Sequence, residues 1–169
     1  MAIQNVDLME IALKVARYLK SNEHIKEFVA EQFGAKELQV RIGEMLHVQL
    51  PTVEDTPYVV LFDWRKREGT SIEFCVYSCK IAIGIGKGAR AEFVVDDEGI
   101  MFLDAYDVSQ KFAQLVINEI NNRDDKNRPL AIVETKGAFP IEPDGSHWTI
   151  MLDCSWRIYQ TMGFNQEDF

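Results

Sequence analysis

Apolar positions recur along the chain with two periods, and the switches between them mark out its elements. Leu8, Ile11, Ala12, Val15 and Leu19 return every three or four residues, which makes one apolar helical stripe with Asp7 and Glu10 near its positive end and Lys20 at its close. Asn5 is a candidate cap for this helix. Asn22 is placed to cap a second, shorter helix carrying Ile25, Phe28, Val29 and Phe33, and Gly34 stands where a left-handed C-terminal residue is wanted. A helical pair over 1–34 is therefore expected to open the chain.

From Leu38 the period changes to two. Leu38, Val40 and Ile42 fall on one face of a strand and Gln39 and Arg41 on the other. Residues 51–57, bounded by Pro51 and Pro57, read as a turn. The unbroken apolar run from Tyr58 to Phe62 suits a central strand buried on both faces, ended by the charged residues 63–68. The next stretch, 71–85, changes phase: Ile72, Phe74 and Val76 are apolar at even positions, Ile81, Ile83 and Ile85 at odd ones. A one-residue slip turns every side chain to the other face, so a bulge or bend near 78–80 is expected. Alternatively, both apolar faces are real and one of them meets a neighbouring chain.

Two short apolar runs, 91–95 and 100–103, flank Asp96-Asp97-Glu98-Gly99, the pattern of a hairpin with a polar turn. Asp104, a candidate cap with Asp107 three residues on, then precedes the clearest helical stripe in the chain, Val108, Phe112, Leu115, Val116 and Ile120, predicting a helix over 104–121. After a charged connection come a short strand at 130–135 and a loop holding Pro140 and Pro143. The closing strand alternates strictly, with Trp148, Ile150, Leu152, Cys154, Trp156 and Ile158 on one face. Residues 163–169 form a polar tail. No repeat or linker divides the chain. The expected architecture is a single α+β domain over 1–169: strands within 37–103 and 130–160 make a mixed or mainly antiparallel twisted sheet, packed by the N-terminal helical pair and one central amphipathic helix.

Composition narrows the functional classes. With 169 residues and 47% apolar against 27% charged, the chain carries enough apolar surface to form a core without disulfides or metal. Its formal charge is -9, from 27 Asp and Glu against 18 Lys and Arg, which disfavours general affinity for nucleic acid or anionic membrane. The first residues have no basic region, and Asp7 and Glu10 interrupt any apolar core of a signal, so a soluble cytoplasmic product is expected. Cys75 and Cys79 lie about 13 Å apart along a strand, too far to pair without a sharp bend; Cys154 could meet either one across a sheet, but reduced buried thiols are expected.

The usual chemical signatures are missing. Gly84-Ile85-Gly86-Lys87-Gly88 resembles part of a phosphate loop, but Ala89 stands where the hydroxyl belongs and a strand follows. His24, His47 and His147 lie at no metal-ligand spacing. No serine or cysteine sits in a nucleophile setting, so no catalytic residue, cofactor or metal is assigned and a non-enzymatic role is expected. Two charge clusters remain. Arg65, Lys66 and Arg67 follow Trp64 at the expected strand end, a candidate contact or a solvated tip. Glu92, Asp96, Asp97, Glu98, Asp104 and Asp107 concentrate negative charge around the hairpin, and its tip is not explained by helix capping.

The order of elements resembles that of the tail terminator, or tail completion, proteins of long-tailed bacteriophages and prophages. The resemblance rests on an N-terminal helix, Pro57 leading into the apolar strand Tyr58-Val59-Val60-Leu61-Phe62, a single helix over 104–121, and a closing alternating strand from Trp148 to Tyr159. It implies a ring of six copies that caps the tail tube and joins it to neck or connector proteins. Such a ring is made in the host cytoplasm, ends in the virion tail, and lets DNA pass without binding it. Interface candidates on that view are Trp64, Arg65, Lys66, Arg67, Ile81, Ile83, Ile85, Trp156 and Tyr159. Asp96, Asp97 and Glu98 would face the lumen or a partner. A different reading of the same charge is an acidic protein-binding module, of immunity or inhibitor type, that covers a basic site on its partner.

Overall fold

A computed structural model describes residues 7–43, 51–68, 74–86, 92–121 and 131–159. The chain is an α+β domain. Helices α1 (Leu8–Ser21) and α2 (Glu23–Phe33) are followed by strands β1 (Gln39–Ile42), β2 (Tyr58–Glu68) and β3 (Phe74–Gly86). A small ribbon of β4 (Phe93–Val95) and β5 (Met101–Leu103) leads into α3 (Asp104–Asn121), and β6 (Ala131–Pro140) and β7 (His147–Tyr159) close the chain. The main sheet has the order β1-β2-β3-β7-β6, antiparallel except for the β1 and β2 pair.

The helices begin and end for local reasons. Asp7, not Asn5, caps α1 by accepting a bond from the Met9 amide at 2.9 Å; Asn5 lies outside the described residues. Asn22 ends α1 and caps α2 through the Ile25 amide at 3.0 Å, and Gly34 closes α2 with φ 65°. Asp104 is the first residue of α3, not its preceding cap. The helices cover one face of the sheet. Ile11, Leu19, Ile25 and Val29 from the first pair and Val108, Phe112 and Val116 from α3 meet Val59, Leu61, Ile81, Ile83, Ile150 and Leu152. Burying an aliphatic side chain of this size contributes about 1.5–3 kcal/mol, so this layer dominates the stability.

Three strand expectations change. First, β2 does not stop at Phe62; it runs on to Glu68 and pairs with β3 throughout. Second, the irregularity expected near 78–80 in β3 lies opposite it, in β2. Phe62 pairs with Lys80 and Arg65 with Ser78, so Asp63 and Trp64 together face Cys79. Asp63 takes the positive φ of 52° that the bulge requires, which Asp tolerates better than most residues. β3 itself keeps one register against β7, and Tyr77 and Cys79 extend the buried odd-numbered face of Ile81, Ile83 and Ile85. Third, β6 reaches Pro140 through a register shift between Thr135 and Gly137, where a loop was expected. An outer strand tolerates Gly and Pro because one of its edges pairs with nothing in the sheet.

The sheet's second face is divided. Near the start of β2, Tyr58, Val60, Phe62 and Ala82 form a smaller buried cluster with Met151. Toward the far end the same face is polar, carrying Arg65, Ser78, Lys80, Asp153 and Ser155.

Candidate interaction surfaces

The bulge sets the chemistry of the basic segment. Its Asp63 carboxylate holds both Arg65, at 2.8 Å through Nε and through an Nη, and Lys80, at 3.4 Å. These cations, Arg65 first, keep the Asp63 carboxyl below its ordinary value, and Asp63 in turn raises Arg65. Trp64 turns the other way and stacks on Trp156, with ring planes 5° apart and centroids at 5.9 Å. The segment is thus not a loop tip. Alternation along the strand puts Trp64 on the helical side and Arg65 and Arg67, both exposed, on the other face.

Most of the apolar interface candidates are taken up within the chain. Ile81, Ile83 and Ile85 are each 0% exposed and Trp156 is 4% exposed, because the helices close over that face of β3 and β7. They cannot serve as an outer surface without unfolding the domain. The side chain of Tyr159 lies outside the described residues; its backbone pairs with Phe74.

The acidic candidates fall at the turn of the β4 and β5 ribbon, all exposed. Asp96 has a structural duty there, since its Oδ1 accepts from the Glu98 amide at 3.0 Å and the Ile100 amide at 2.8 Å. Asp97 and Glu98 carry the outward charge.

The ribbon itself holds the surface that the sequence pattern did not reveal. Its three-residue strands belong to a separate sheet, and register puts Phe93, Val95, Met101 and Leu103 on one face. Phe93 is 64% exposed, Val95 55% and Met101 62%, with Ile100 at 58% beside them. At the ribbon's base, Phe93 and Leu103 line an open groove of about 530 Å³ together with Pro140, Ile141, Glu142 and Trp148. Trp148 is fixed there by an edge contact with Tyr106 at 5.0 Å and by its indole N–H, which donates to the Gly145 carbonyl at 2.8 Å.

Two further polar clusters lie buried among the described residues. The Tyr58 hydroxyl is hydrogen-bonded to Thr149 Oγ1 at 2.7 Å and to His147 Nε2 at 3.1 Å. His147 is fully buried, its Nδ1 has no partner among the described residues, and burial holds its pKa below the ordinary histidine value. Between the helices, buried Glu119 on α3 takes bonds from Asn22 Nδ2 at 2.7 Å and the Tyr18 hydroxyl at 3.4 Å, and pairs with His24 Nδ1 at 2.8 Å. Burial pushes the Glu119 carboxyl upward, but the bonds from His24, Asn22 and Tyr18 outweigh it. The two histidines therefore serve separate sites; His47 lies outside the described residues.

Among the described residues, no group of three or more His, Cys, Asp or Glu is placed to hold a metal ion, and no helix is long and apolar enough to cross a membrane. Gly84 and Gly86 lie inside β3, not in a phosphate loop, while Lys87 and Ala89 fall outside the described residues. No protein-family model matches the chain, and a search of curated proteins returns no match.

Proposed function

We propose that the protein is a structural, ring-forming tail terminator of a long-tailed phage or prophage, which caps the tail tube and joins it to the head or neck. The observation that carries this reading is the β4 and β5 ribbon. A two-stranded ribbon is at best marginally stable alone, and one whose apolar face meets water is both a stability cost and an aggregation hazard. Assembly removes both. The element order supports the reading: a helical N-terminus, an apolar strand after Pro57, a single central helix and a long closing strand. The charge of -9 suits a ring through which DNA slides, since an acidic lining repels phosphate and releases no counterions to hold it.

The test is to add the protein to polymerising tail tubes of the same phage and measure tube length. A terminator stops growth at substoichiometric amounts relative to tube subunits. Tubes that lengthen unaffected, with the protein staying monomeric in light scattering at micromolar concentration, would overturn the reading.

The ribbon also favours a second reading, an acidic module of immunity or inhibitor type that binds one basic partner. It predicts a tight, salt-sensitive heterodimer and no self-association.

A further inference from the structure

The ribbon's exposed face has a counterpart on the chain itself, at the opposite end of the main sheet. β3 and β7 each span 13 residues, which at about 3.3 Å per residue places their two ends ~40 Å apart. The ribbon's base packs near the start of β7, beside Trp148. At the far end, strand register sets up one row across four strands: Arg65 on β2, Ser78 on β3, Ser155 on β7 and Ile132 on β6. All four face away from the helices. Two small hydroxyl side chains make a low floor, with exposed Arg65 on one bank and Ile132, 70% exposed, on the other. Arg67, two residues along β2, adds a second exposed cation to the Arg65 bank.

The two surfaces match in both charge and polarity. The ribbon offers the apolar Phe93, Val95 and Met101 behind an anionic tip, Asp97 and Glu98. The trough offers an apolar bank beside a basic one, where Asp63 already holds Arg65 through two bonds and Arg67 supplies the further positive charge. They lie too far apart to meet within one copy, but they can meet between copies.

We propose that the β4 and β5 ribbon of one copy docks on the Arg65, Ser78, Ser155 and Ile132 row of a second copy, with its apolar face on Ile132 and its tip against Arg65 and Arg67. This rests on the ring reading and says how the ring is joined. Donor and acceptor surfaces differ, so the contact is head-to-tail, the kind that closes into rings when the rotation permits. It also assigns Asp97 and Glu98 to a neighbouring subunit, not to the lumen.

The test uses two charge-reversed full-length chains, Asp97→Lys/Glu98→Lys and Arg65→Glu/Arg67→Glu, followed by sedimentation velocity alone and on tail tubes. Asp96 is left intact because it builds the turn. Each variant alone is expected to associate at least about tenfold more weakly than wild type. An equimolar mixture is expected to regain association, because a reversed tip then meets a reversed trough and a native tip a native trough. Arg67→Glu alone and Met101→Ser, which leave the Asp63 pairs untouched, should weaken association in the same direction if the double variant fails to fold. Wild-type rings that persist unchanged in all four variants would overturn this placement and leave the ring reading standing. A wild type that never associates, in solution or on tubes, would overturn both. Ribbon variants that lose a basic protein partner while self-association is unchanged would assign the ribbon to that partner instead.

Discussion

The ring of Tyr58 occupies the space that a side chain at Gly84 would fill. A Cβ built at Gly84 falls within the ring, and the ring is held in place by Thr149 and His147 beyond it. Gly84 is therefore required by packing, and its backbone φ is unexceptional for a strand. Gly84→Ala should displace Tyr58, overpack the cluster and strand two buried polar groups, a combined loss of about 3 kcal/mol. Urea denaturation checks this: a lower midpoint with an unchanged m-value is expected. Tyr58→Phe, which keeps the ring and removes the hydroxyl, should cost less, about 1–2 kcal/mol.

Buried His147 makes the fold acid-sensitive. Its folded pKa lies below its unfolded value, so the stability it supports is present above about pH 6.5 and is lost as the pH falls toward the folded value, where the unfolded chain takes up the proton first. His147→Gln keeps a polar group beside Tyr58 but cannot titrate. The stability of this variant should vary less than wild type between about pH 6.5 and 5. Parallel pH profiles would remove His147 as the source.

The His24 and Glu119 pair has the opposite sign on its histidine side. The bond to Glu119, first among its causes, raises His24, so that contribution is present below about pH 6.5 and is lost as the pH rises through the raised value. Glu119 is held low, so its contribution is lost when acid protonates it, below about pH 4.5. The stability gap between wild type and His24→Ala should therefore be widest between about pH 4.5 and 6.5 and shrink as the pH rises above that window. Thermal melts at these pH values measure it; a gap independent of pH would contradict the pairing.

Cys79 and Cys154 face each other across β3 and β7, both buried and unpaired as disulfides. The bond to Cys154, together with burial, pushes the Cys79 thiol far up, so it has no thiolate at neutral pH. Iodoacetamide followed by peptide mapping should leave both unmodified in the native protein and modify both in denaturant. Rapid native labelling of either would contradict their burial.

The helices and β7 were legible because their periodicity is long and unmixed: the Val108, Phe112 and Val116 stripe and the Trp148 to Trp156 alternation each point to one face. β2 looks short in the sequence because Asp63 and the three basic residues after Trp64 imitate a loop. The alternation of Trp64 and Lys66 against Arg65 and Arg67 was present, but the bulge shifts it by one residue. Ile81, Ile83 and Ile85 suggested an outer interface only because the buried Tyr77 and Cys79 did not register as apolar continuations of the same face. The ribbon's exposed face was hidden for a different reason. Val94 and Val95 read as ordinary strand residues, and no periodicity shows that the ribbon stands apart from the main sheet.

Negative-stain electron microscopy of tail tubes incubated with the purified protein shows whether the ring forms. The expected result is a ring, six copies in class averages, seated on one end of each tube, and its loss with the Asp97→Lys/Glu98→Lys chain. Bare tube ends beside a protein that stays monomeric would contradict it.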